Sequence, residues 1–149
     1  IYSPEKYVLE DIKAFILKCE QCGARPFVDL PNFVTNADVE YLKKILSPLN
    51  VGVVVNNYWA LCMPNEKVAG SLINVYNNQS ASVLGMPVLN SKIAKPPYMT
   101  LRFCPFKQYL KCDCKTCKYK NNSYIVTENG KKLKISRKRI TSCNFYLSD

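Results

Sequence analysis

The apolar positions of this chain change period several times, and each change marks an element. Tyr7, Val8, Ile12, Phe15 and Ile16 recur at helical spacing, which predicts a helix with Ser3 as N-cap, Pro4 in its first turn and an end near Gly23. Pro26 to Leu30 reads as a short strand closed by Pro31. Thr35 or Asn36 then caps a second helix whose apolar stripe is Val39, Leu42, Ile45 and Leu46, and Pro48 ends it. Val51 to Val55 is a β-branched run broken by one Gly, with no polar alternation. Such a strand is buried on both faces, as in a parallel sheet.

Further on, Ser71 to Val75 reads as a strand, Ser80 to Leu84 as a short helix, Val88 and Leu89 as a strand remnant, and Tyr98 to Phe103 as the next strand. Beyond Cys117 the period becomes that of a hairpin. Tyr124 to Thr127 and Leu133 to Ser136 flank Glu128-Asn129-Gly130, and Ile140 to Leu147 is a last strand. The succession of strands and helices over 1–97 is βα logic in an α/β chain, and 98–149 forms a Cys-rich basic segment of the same single domain. Asparagines gather at predicted strand ends, Asn56-Asn57 after one and Asn74, Asn77 and Asn78 after another. Those places suit both barrel-type active sites and simple turns.

Composition sharpens this picture at one place. Of eight cysteines, five (Cys104, Cys112, Cys114, Cys117 and Cys143) fall between Tyr98 and Phe145. Cys114 and Cys117 form a CxxC turn, which brings two thiolates to one side of a loop where a single metal takes both. A disulfide framework is the rival reading, but long apolar helix and strand segments do not resemble a stapled, loop-rich chain. Histidine is absent, which removes Ser–His and Cys–His pairs, HExxH helices and mixed Cys/His zinc sites from these residues. A metal here is held by thiolates, as in zinc sites and iron–sulfur clusters. The expected ligands are Cys104, Cys114, Cys117 and Cys143, with Cys112 as alternative to Cys114. Cys19 and Cys22 form a second CxxC at the end of the first helix, where packing as small apolar groups is the plainer account. Cys62 carries no assignment.

The same block carries the charge. From Arg102 to Cys143 there are twelve Lys or Arg against Asp113 and Glu128, whereas the remainder holds nine basic and nine acidic residues. The formal net charge of +10 therefore sits on the cysteine block. Cations beside thiols lower their pKa values. They also suit a polyanion, since Lys107, Lys111, Lys115, Lys118, Lys120, Arg137, Lys138 and Arg139 are interleaved with Phe103, Phe106, Tyr109, Tyr119 and Tyr124. That mixture fits phosphate tracking with stacking platforms. A solvated basic face over core aromatics is the alternative. No apolar run approaches the ~20 residues that span a bilayer, so a cytoplasmic protein with no membrane partner is expected.

The ordered series PFVDLPNF, VGVVVNN, GSLINVYNNQSASVLG, MTLRFCP, DCKTC, a hairpin with ENG, and SCNFYLSD resembles the C-terminal part of the collagenase-like peptidase family U-32. The resemblance implies the C-terminal portion of a (β/α) TIM-like barrel with a Cys-rich β-hairpin extension, cut from a longer barrel and short of one strand and helix between Gly85 and Pro97. It implies that Cys104, Cys114, Cys117 and Cys143 hold a cluster of four irons and four sulfurs. Members of that family hydroxylate transfer RNA, ribosomal RNA or a quinone precursor, and others carry a protease label. The expectation is thus an iron–sulfur RNA-modifying enzyme. A peptidase (a hydrolase) of the same family is one rival, and a zinc-ribbon-like nucleic-acid-binding module is another. Asn56, Asn74, Asn77 and Arg102, at strand ends, are the candidates for facing substrate.

Overall fold

The computed structural model describes residues 1–73, 75, 77–89, 97–113, 116–119, 123–141 and 143–148. Its chain is mixed α/β and builds two sheets. The first is parallel, in the order β1-β2-β3, with β1 at Phe27–Asp29, β2 at Gly52–Val55 and β3 at Lys67–Ala69. The second is antiparallel, in the order β4-β7-β6-β5, with β4 at Met99–Leu101, β5 at Ser123–Val126, β6 at Lys132–Arg139 and β7 at Cys143–Ser148. Two isolated bridges extend the parallel sheet, Tyr2 beside Val28 and Val88 beside Ala69.

Two helices, α1 at Leu9–Gln21 and α2 at Asn36–Leu46, supply the apolar stripes read from their spacing. Ile12 and Ile16 of α1 and Leu42, Ile45 and Leu46 of α2 share one buried cluster with Val28, Val53, Val55 and Ala69. Alternation along the strands leaves Asp29 and Val54 on the other face, and the antiparallel sheet lies over that face. All four residues of β2 are buried, as expected of a strand covered on both sides.

The first helix starts later than its spacing suggests. Ile1 to Ser3 runs extended along β1, with the Tyr2 amide donating to the Phe27 carbonyl at 2.8 Å and the Asp29 amide donating to the Tyr2 carbonyl at 2.8 Å. Ser3 precedes Pro4, a position biased away from helical backbone, and its hydroxyl goes to Asp29 rather than to a helix cap. Thr35 does cap α2, in a capping box with Asp38, a device worth about 1 kcal/mol.

The predicted strand at Ser71 to Val75 is also corrected. The ladder beside β2 is made by Lys67–Ala69, and at Gly70 the chain turns, with Ile73 donating back to the Gly70 carbonyl at 3.4 Å. A 3-10 turn at Tyr58–Cys62 uses up little chain after β2, so pairing begins at Lys67. Helices α3 (Asn78–Leu84) and α4 (Pro105–Leu110) complete the elements, and α4 was not signalled by periodicity. The hairpin β5–β6 forms as expected, its turn using Gly130 at φ 74°, which an L side chain rarely adopts. Among the described residues, no helix is long and apolar enough to cross a membrane.

Candidate metal centre and the cavity behind it

The antiparallel sheet has two chemically different faces, and β6 shows why. Arg137, Lys138 and Arg139 are consecutive in one strand, so the pleat sends Lys138 to the opposite side from its neighbours. Ile135 and Arg137 of β6 lie on one face with Cys143 and Phe145 of β7; Ser136 and Lys138 lie on the other with Tyr146 and Ser148.

On the first face, Cys104, Cys117 and Cys143 line a single pocket of about 170 Å³ together with Arg102, Arg137, Phe106 and Tyr119. The three thiols come from distant points of the sequence. Cys104 lies at the N-cap of α4, after β4 has paired with β7. Cys143 opens β7 opposite Arg139. Cys117 stands in the loop before β5, two residues from Tyr119, which stacks on Phe106 at 5.1 Å. Cys112 belongs to the same neighbourhood. Its thiol is pushed above the ordinary value by desolvation first, then by the charge of Cys117 and a hydrogen bond with it, and by Cys104, while Lys118 acts in the opposite sense.

The donor type of this pocket suits a soft metal, because three thiols line it beside two guanidinium groups that offset thiolate charge, but the described thiols are not gathered closely enough to form a metal-holding group by themselves. Among the described residues no three His, Cys, Asp or Glu form a group that could hold a metal ion. Cys114, the fourth expected ligand, lies outside the described residues, as do Asn74, Lys115 and Lys120. Cys19, Cys22 and Cys62 do not line this pocket.

Of the expected nucleic-acid contacts, Lys107, Lys111, Lys118 and Arg139 are exposed. Lys118 lies over the Tyr119 ring at 5.2 Å and Tyr109 presents an exposed ring, while Tyr124, also exposed, pairs with Lys134 and so lies on the other face of the sheet. Arg137 is half-buried and paired with Glu5. Lys138 is not on this surface at all, since its ammonium pairs with Asp29 inside the molecule.

Behind the sheet, a cavity of about 560 Å³ separates the carboxyl ends of β1 and β2 from β6 and β7. Asp29 sits at its centre. Its Oδ2 accepts from Ser3 Oγ at 2.8 Å and from Lys138 Nζ, and its Oδ1 accepts from Asn56 Nδ2 at 2.5 Å. Asn56 also donates to the Leu30 carbonyl at 2.7 Å. A side chain at Gly70 would bring its Cβ to 2.2 Å from Asn56 Oδ1, so glycine there lets the amide take this position. Tyr146 accepts from the Asn32 amide at 3.2 Å, and its phenol is pushed up to about 12 by burial, with Asp29 adding to the shift. Tyr7, which donates to the Asp29 carbonyl at 2.5 Å, is raised well above the usual range by burial first and then by Asp29 and Tyr146.

The asparagine candidates therefore separate. Asn56 reaches the cavity. Asn77 is the N-cap of α3, its Oδ1 accepting from the Ser80 amide at 2.7 Å, which is the turn role left open in the sequence. Arg102 places its guanidinium 4.1 Å over the Phe33 ring and lines the thiol pocket. Sequence reasoning missed Asp29, although a carboxylate ending an otherwise apolar strand is the usual signal for a polar site at a strand terminus. No protein-family model, curated protein or solved structure matches the chain.

Proposed function

We propose that this chain is an iron–sulfur protein that modifies RNA by hydroxylation, with Cys104, Cys114, Cys117 and Cys143 holding the cluster. The observation that carries the reading is that Cys104, Cys117 and Cys143, far apart in sequence, all line one pocket with Arg102 and Arg137. Cys112, hydrogen-bonded to Cys117, is the alternative to Cys114. A thiolate-bound cluster supplies electron transfer or a Lewis-acidic iron. The likeness to the collagenase-like peptidase family U-32 supports the same assignment. On that likeness the β1–β2–β3 units are the C-terminal portion of a TIM-like barrel, and the antiparallel sheet is its Cys-rich extension.

The chain's own residues perform the binding work. Lys107, Lys111, Lys118 and Arg139 offer exposed cations to phosphates, and Tyr109 offers a face on which a base stacks. Phe106 and Tyr119, stacked at 5.1 Å, form one wall of the thiol pocket. Arg137, fixed by Glu5, holds a positive charge beside the sulfurs.

The test is nucleoside mass spectrometry of RNA from cells overproducing the chain. A nucleoside one oxygen heavier, present with the native chain and missing with Cys143→Ser, is expected. Identical nucleoside profiles for the two would overturn the assignment. Zinc-bound, colourless protein that still binds RNA would instead identify a closed zinc-ribbon-like module.

A further inference from the structure

The cavity around Asp29 is a second site, and its chemistry is independent of the thiol pocket on the far side of the sheet. It has the volume of a small-molecule site, which runs roughly 300–1,000 Å³, and lies at the carboxyl ends of parallel strands, where α/β sheets bind ligands. Asp29 and Lys138 are 21% and 13% exposed at their side chains, so both face the cavity while shielded from bulk water. Their charges cancel. A carboxylate or phosphate entering here must take Lys138 from Asp29, and a cation must approach Lys138, so a neutral ligand meets the smallest electrostatic cost.

The walls specify more. Lys138 has three N–H donors, of which Asp29 takes one, and its ammonium lies 5.6 Å over the Tyr146 ring. Ser71, Ser136 and Ser148 line the cavity; a serine hydroxyl can donate and accept, although that of Ser136 already donates to the Tyr146 carbonyl at 3.5 Å and is left to accept. Val54 and Leu72 give it an apolar side. Donors and acceptors of both kinds around a neutral ion pair, with one dry wall, match a ring that carries hydroxyls on one edge and carbon on its face. We propose that this cavity binds a neutral hydroxylated ring compound of the pentose or ribonucleoside kind, with Lys138 donating to a ring hydroxyl and Asn56 and Ser3 holding Asp29 to accept from another.

Saturation-transfer NMR and calorimetry on the full chain test this with three probes at millimolar concentration: methyl β-ribofuranoside, uridine and uridine 5′-monophosphate. Saturable binding of uridine is expected, weakened about tenfold or more by Lys138→Met and by Leu72→Trp, which places bulk in the cavity and changes neither member of the ion pair. Equal binding of the methyl riboside assigns recognition to the sugar ring alone, and tighter binding of uridine assigns it to a complete nucleoside. Cys104→Ser leaves affinity unchanged, which separates this site from the metal centre. No saturation with either neutral probe, binding of the monophosphate only, or native affinity in Leu72→Trp overturns the proposal.

Discussion

The two faces of the antiparallel sheet are made by the same strands and differ in what they demand of their residues. The face toward the parallel sheet neutralises its charges internally, Lys138 against Asp29, and ties its polar groups to named partners. The opposite face gathers Cys104, Cys117 and Cys143 beside Arg102 and Arg137, with Arg137 tied to Glu5 nearer the surface. A charge-balanced pair leaves room for a neutral guest, whereas a cluster of thiols beside cations is suited to receiving a positively charged metal. One strand thus serves a charge-neutral cavity with its even-numbered residues and the thiol pocket with its odd-numbered ones.

The comparison breaks most sharply at the sulfurs. Cys104→Ser and Cys143→Ser should each lower metal content at least about tenfold while leaving the urea-unfolding stability of the metal-free protein within ~0.5 kcal/mol of native. Loss of fold with unchanged metal would reverse the roles assigned to the two faces. The buried contact between α2 and the turn joining β6 to β7 should fail in the opposite way. Asp38 is fully buried, completes the α2 cap, and accepts from the Thr141 amide at 2.7 Å and the Thr141 hydroxyl at 2.5 Å. Asp38→Asn should therefore cost about 3 kcal/mol in equilibrium unfolding without changing thiol reactivity. Lys138→Met should cost less, about 2 kcal/mol, because the pair it breaks retains some solvent.

Much of this was legible beforehand. The stripes of α1 and α2, the doubly covered strand β2 and the β5–β6 hairpin follow from spacing and turn chemistry alone. The errors share a cause. Ser3-Pro4 looks like a helix start, but backbone pairing of Tyr2 with β1 takes that segment into the sheet. Lys67–Ala69 is too short to announce itself as a strand and is specified by the edge of β2. The Arg137-Lys138-Arg139 run reads as a single basic patch until its residues are placed on a pleat. Cys104, Cys117 and Cys143 were legible as a set because chemistry marks them, whereas Asp29 shows locally only as a carboxylate closing an apolar strand, and its role is set by partners 26, 27 and 109 residues away.

Two smaller effects sharpen the contrast. On the outward side, replacing Lys107, Lys111 and Lys118 by alanine should flatten the salt dependence of single-stranded RNA binding by about 0.7 in logarithmic slope for each phosphate no longer neutralised. On the inward side, the Tyr146 phenol keeps its proton in the folded state to about pH 12, while in the unfolded chain it ionises near pH 10. The unfolded state thus binds fewer protons across that window, and its contribution to stability is full below pH 10 and lost as pH rises toward 12. Tyr146→Phe should remove this alkaline loss, at most about 2.7 kcal/mol for two pKa units, in unfolding curves compared with the native chain.

The central claim is that the outward thiols hold an iron–sulfur centre, and anaerobic purification followed by iron, acid-labile sulfide and zinc assay tests it directly. We predict a brown protein containing iron and sulfide in equal amounts, with both lost in Cys117→Ser. A colourless protein containing zinc, or no metal, after the same oxygen-free preparation would contradict it.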